Sequence, residues 1–242
     1  MKISLFITCL ANGLFPDIGI TMTRIFNHLG HTVDYPDQQG CCGQIAFNSG
    51  YFEDAREVAR NLIDSFEKSE IVVAPSGSCI GMIHDNYPFL FENDPVYLKK
   101  AKNLIDKSYE FTQFIVNVLK QPDLGAKYTA KATYHPSCHA TRLLGIREEP
   151  FEILKHVQGL EVVPLPEAQL CCGFGGTFSV KMPEISEAMV TEKAKHVIDS
   201  GANLLLGLDM GCLMNISGYL EKQGHPIKTM HIIQLLEEGI KQ

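Results

Sequence analysis

The stretch DQQGCCGQIAFNSG (37–50) sets two cysteines side by side and follows them with glycine, and AQLCCGFGGTFSV (168–180) does the same again. All eight cysteines fall around these pairs in one repeated layout: Cys9, Cys41, Cys42 and Cys79, then Cys138, Cys171, Cys172 and Cys212. Between the single cysteine and the pair lie 31 residues in the first set and 32 in the second, and between the pair and the last cysteine lie 36 and 39. The flanks repeat as well, LGHTVDYPDQQGCCGQ resembling GLEVVPLPEAQLCCGF and SGSCIGM resembling MGCLMNI. Duplication at this period means two similar halves, not a solenoid of short units. The expected division is 1–122 and 123–242, inside LKQPDLGAKYTAK (119–131), where proline, glycine and lysine interrupt two apolar patterns.

Each half reads as strands alternating with helices. In the first, KISLFI, HTVDY and EIVVA are strand-like, with amphipathic helices over 15–29 and 52–67. The second answers with KATYH, LEVVPL and NLLLGL, and with helices near 148–157 and across 183–199. A long helix over 97–119 closes the first half, and PIKTMH followed by IIQLLEEGI gives a last strand and helix. The fold class expected is α/β: two pseudo-symmetric βαβ halves with parallel sheets, each carrying one Cys-Cys-Gly motif.

On that outline every cysteine falls just beyond the C-terminal end of a strand, the edge where open α/β sheets gather their ligand loops. Four thiols converging twice form a metal-ligand arrangement, because thiolates are soft donors that suit zinc or an iron–sulfur cluster. Neighbouring side chains on an extended strand point to opposite faces, so Cys41 and Cys42 share a site only on a turned backbone. Gly43 and Gly173 supply the freedom for that turn. A centre of several atoms accommodates two contiguous thiolates more readily than one ion, which favours a cluster without excluding zinc. Structural disulfides need an oxidising compartment. No export signal is read in MKISLFITCLANG, and the expected location is the cytoplasm.

Composition narrows the partners. A formal net charge of −7 argues against nucleic acid, which is bound through clustered Lys and Arg. No apolar run approaches the ~20 residues that span a bilayer, so no direct membrane insertion is expected.

The Cys…CysCysGly…Cys pattern resembles the CCG cysteine-rich domain family, which includes the B component of heterodisulfide reductase and the iron–sulfur component of glycolate oxidase. The phrases FNSGYFEDAREVA, APSGSCIGMIH, SCHATRLLGI, CCGFGGTFSVKMPEIS and DMGCLMNI are similar to its lactate utilization A branch, over essentially the whole chain. That resemblance implies an iron–sulfur electron-transfer component of a system that oxidises L-lactate to pyruvate and allows growth on lactate, alongside lactate utilization proteins B and C. It implies one or two clusters per chain. In the heterodisulfide reductase version the last cysteine belongs to a C-x-x-C pair, giving five thiols. Here Met82 and Asn215 stand at those positions, and four cysteines per half suit an ordinary [4Fe–4S] cluster, or zinc. Two alternatives stay open: a zinc-binding or metal-free scaffold, and a thiol–disulfide redox protein.

Among the remaining residues, His135 and His139 flank Cys138 and His84 follows Cys79 by five residues, so one of them is a candidate replacement ligand or hydrogen-bond donor to sulfur. His139 is equally readable as structural, His135 also reads as the end of a strand, and His84 reads rather as a helix-surface residue. Arg142 and Lys181 lie near the second set, and Asp209 stands where Ser76 stands in the first half.

Overall fold

The computed structural model describes residues 1–241. Two four-stranded, wholly parallel sheets carry the chain. The first contains β1 (Lys2–Leu5), β2 (Thr32–Asp34), β3 (Val72–Ala74) and β4 (Ser108–Glu110), in the order β2-β1-β3-β4. The second contains β5 (Lys127–His135), β6 (Gln158–Val163), β7 (Leu204–Gly207) and β8 (Lys228–His231), in the equivalent order β6-β5-β7-β8. The expected fold class is therefore the observed one. In each sheet the chain runs from the inner strand to one neighbour and then crosses to the other side. The loops after β1 and β3, and after β5 and β7, part at such a switch point and leave a crevice at the strands' C-terminal ends.

One expected element is corrected. The segment 97–119 is not a single helix: helix Pro95–Ile105 stops, β4 intervenes, and a helical stretch Phe111–Val118 follows. The apolar positions Leu104, Phe111 and Ile115 keep a helical period across the break by coincidence of spacing. What ends the helix is tertiary. The Lys107 ammonium donates to the carbonyls of Phe66, Glu67 and Ser69 at 2.6–3.2 Å, and the carbonyl of Lys107 accepts the N–H of Val72 at 2.8 Å, opening the β3–β4 ladder. Glu110 then caps the next helix, accepting from Thr112 N and Gln113 N at 2.8 and 3.2 Å. A second difference is smaller: the helix expected over 15–29 runs Asp17–His28, with a separate short helix, Cys9–Leu14, before it.

One apolar core runs through both sheets, joining Ile3, Phe26, Phe111 and Phe114 to Ala132, Leu206, Ile233 and Leu236. Two smaller clusters lie over the outer faces, one including Cys42 and Cys79 and the other Cys172. Close packing also joins the cysteine-bearing helices. At Gly77 a Cβ would lie 2.5 Å from the Cβ of Ala140, so only glycine lets helix Gly77–Gly81 rest on helix Cys138–Arg142. Among the described residues no helix is long and apolar enough to cross a membrane.

Candidate metal centres

Each cysteine is positioned by the strand before it. Cys9 and Cys138 open the helices that follow β1 and β5, and Cys79 and Cys212 lie in the first turns of those that follow β3 and β7. The contiguous pairs sit in the loops after β2 and β6. All eight thiols are free, and all eight line a single cavity of about 620 Å³. Cys42 and Cys172 are buried, at 3% and 2% exposure, whereas Cys9 is exposed.

The turn at the pair is the same in both halves. Gly43 and Gly173 have φ of +85° and +82°, a region that side chains other than glycine's rarely adopt. That geometry aims each glycine N–H back at the first cysteine of the pair, 3.4 Å from Cys41 Sγ and 3.4 Å from Cys171 Sγ. The carbonyl of the second cysteine is pinned in both halves by different side chains: Tyr87 Oη donates to Cys42 O at 3.0 Å, and Asn215 Nδ2 to Cys172 O at 2.8 Å. Asn215 therefore occupies the place of a further cysteine with a structural hydrogen bond of its own. Ahead of the first pair, Gln39 accepts from Ile7 N at 2.8 Å and donates to Leu5 O at 2.9 Å, tying the loop to the end of β1.

The thiols polarise one another. Cys9 Sγ and Cys41 Sγ are 3.6 Å apart. Hydrogen bonds from Cys42 and Cys9, with the Gly43 N–H, hold the Cys41 thiol down to about 2. Those from Cys138 and Cys172 do the same at Cys171, also to about 2. Their donors Cys9, Cys42, Cys138 and Cys172 are pushed up by the same bonds and by burial. These bonds favour the thiolate at Cys41 and Cys171, and thiolate is the form that ligates metal. Two sets of four free, clustered sulfur donors fit a thiolate-bound metal.

The histidines separate. His84 points away from the thiols, its Nε2 lying 3.0 Å from Ser108 O. His139 lines the cavity with its Nδ1 3.2 Å from Gln44 Nε2. His135 ends β5, in keeping with the sequence pattern, but its ring also meets the second set: a ring nitrogen and the sulfurs of Cys172 and Cys212 lie within 4.8 Å of one another. Burial, then the charge of Lys193, pushes this imidazole down to about 3, so it is neutral. Arg142 and Lys181 line the cavity and are both exposed.

Lys193 is the residue that sequence reasoning missed. It is fully buried and donates to the carbonyls of Glu167 and Ala168, each at 3.0 Å, in the loop that leads to Cys171. The signal was present: Val190, Lys193, Ala194 and Val197 form an apolar stripe at helical spacing with one lysine in it.

The CCG cysteine-rich domain model matches residues 3–84 and 132–217, one match around each cysteine set. Lactate utilization protein A of an Exiguobacterium species is 53% identical over 243 residues, covering 100% of this chain and 99% of that protein. The Geobacillus protein of that name is 54% identical over 236 residues, covering 98% and 99%. The chain belongs to the lactate utilization protein A family. Within the wider CCG group, the members of this family to which the chain is similar match it nearly end to end, so both cysteine sets fall inside the shared length. A solved structure of a hypothetical protein from Helicobacter pylori shares the fold alone, with a TM-score of 0.64 and 10% identity over 100% of this chain and 49% of that one.

Proposed function

We propose that this chain is an iron–sulfur electron-transfer component of a multi-subunit system that oxidises L-lactate to pyruvate. The observation that supports this most is that two matching sets of four free thiols line one cavity. Its family membership supplies the substrate, since the relatives are named for lactate utilization. Oxidising lactate to pyruvate releases two electrons and two protons, and an iron–sulfur cluster, when bound, accepts and passes on single electrons. Cys9, Cys41, Cys42 and Cys79 would hold one [4Fe–4S] cluster, and Cys138, Cys171, Cys172 and Cys212 the other. The N–H groups of Gly43 and Gly173 would offset charge at the sulfurs beside them. Oxidation of lactate itself is assigned to a partner, with lactate utilization proteins B and C as the expected companions.

The shared cavity favours a second reading. Two one-electron centres facing one volume suit a two-electron acceptor such as a disulfide, which takes two electrons and two protons to give two thiols.

Iron and acid-labile sulfide analysis on protein purified without oxygen, with EPR before and after dithionite, tests the main reading. Roughly eight iron and eight sulfide per chain are expected for two four-iron clusters. Cys42→Ser and Cys172→Ser should each lose about half of both, and each should impair growth on lactate. Stoichiometric zinc without sulfide, or normal growth of both variants, overturns the electron-transfer role.

A further inference from the structure

The two halves share a fold and a cysteine layout, so differences between matched positions carry information. Three residues before the first cysteine of each set stand Phe6 and His135. Phe6 is fully buried against Phe66, their ring centroids 5.8 Å apart. His135 is 1% exposed, and neither of its ring nitrogens has a hydrogen-bond partner. Leaving a buried polar group unpaired is costly, so an orphaned imidazole calls for a missing partner. The group it faces is the second cysteine set, where its ring nitrogen and the sulfurs of Cys172 and Cys212 lie within 4.8 Å of one another.

A second matched pair differs in the same sense. Gly43 sits over Ala55 and Gly173 over Ser186. Carrying that register along the two helices pairs Leu62 with Lys193, both fully buried. The first set is thus backed by phenylalanine and leucine, and the second by a neutral imidazole and a buried ammonium.

We propose that His135 is a ligand of the second centre through one ring nitrogen, in place of one of the four thiolates assigned to it above, so that the two centres differ in donor set. The first has thiolates alone, and the second has thiolates and an imidazole. This rests on the reading that the second set holds a metal centre. A neutral imidazole donates less charge than a thiolate, and histidine ligation raises the potential of an iron–sulfur centre. The Lys193 ammonium acts in the same direction. The second centre is therefore the more easily reduced of the two, which gives electrons a direction through the chain, from the first set to the second.

The test uses the full chain carrying Cys42→Ser and Cys79→Ser, which leaves the second set alone, loaded anaerobically with iron and sulfide. Pulsed EPR of the dithionite-reduced protein, grown with natural or 15N-labelled histidine, reads nitrogen coordination directly. A strong histidine coupling is expected that disappears in His135→Phe, together with a lower midpoint potential in that variant. Phenylalanine is the residue at the matched position of the first half, and His135→Gln, with both variants checked by thermal melting, provides a second variant. A loaded centre with no histidine coupling, or with coupling that survives both substitutions, overturns the ligand assignment while leaving the metal reading intact. Should the second set take up no metal in the parent chain while the first does, both fall. If it takes zinc without sulfide, cobalt(II) is the probe, and ligand-field bands that do not shift between the parent and His135→Phe overturn the assignment.

Discussion

The carboxylate of Asp209 accepts a hydrogen bond from the backbone N–H of Ser78 at 2.9 Å, across from one cysteine set to the other. Asp209 and Ser76 occupy matched positions before the last cysteine of each set, but they are used differently. Ser76 caps its own helix, accepting from Cys79 N at 3.2 Å. Asp209 makes no such bond to its own helix and instead gathers the Ser78 and Ser137 hydroxyls at 3.2 and 3.3 Å. Asp209→Ala should therefore destabilise the chain by about 1.5–3 kcal/mol, the range for hydrogen bonds to a charged group. Asp209→Asn, which keeps an acceptor for Ser78 N–H, should lose less than half of that. Urea titrations of the two variants check the ranking, and equal losses would show that an acceptor for the Ser78 N–H alone does not fasten the two loops.

Gly43 and Gly173 share a backbone conformation but not the space around it. A Cβ at Gly173 would lie 2.7 Å from the carbonyl oxygen of Ser186, backbone that cannot swing aside, whereas at Gly43 the nearest atom is Ala55 O at 3.2 Å. Both alanine variants carry the left-handed penalty of about 1–2 kcal/mol. Gly173→Ala adds the clash, so it should cost clearly more than Gly43→Ala in denaturant midpoint. It should also displace the N–H from Cys171 Sγ, and with it metal retention in the second set alone. Equal costs for the two variants would mean that the loop after Cys172 gives way.

The fold was legible in the sequence wherever two signals agreed. The duplicated cysteine spacing and alternating apolar patterns pointed to two parallel sheets and placed the thiols beyond the strand ends. Strand β4 was hidden because its two flanking helices stay in phase, and only the tertiary bonds of Lys107 and Glu110 mark the break. At the site, the pairs and their glycines were readable because a contiguous pair demands a turn. Tyr87 was not, because it acts on a carbonyl brought near by folding and leaves no spacing to detect; Asn215 and Lys193 stand out by their spacing, but the carbonyls they reach do not. His135 fell between these cases: its place at a strand end was evident, but its approach to Cys172 and Cys212 depends on three loops meeting.

Glu110 is fully buried with one carboxylate oxygen unpartnered, and burial pushes its carboxyl up from 4.5 to about 7 despite the hydrogen bonds from Thr112 and Gln113. Between those two values the folded chain holds a proton that the unfolded chain has released. Stability must then fall as pH rises through that window, and the contribution is complete below 4.5 and gone above about 7. Glu110→Gln keeps an acceptor for the two N–H groups and removes the titration. Its unfolding free energy relative to the native chain should therefore rise from pH 4.5 to pH 7 and then level off. Urea melts at half-unit steps on metal-free protein, kept reduced, measure this difference directly. A difference that stays flat across the window would mean that water reaches the free oxygen and the carboxylate is charged in the folded state.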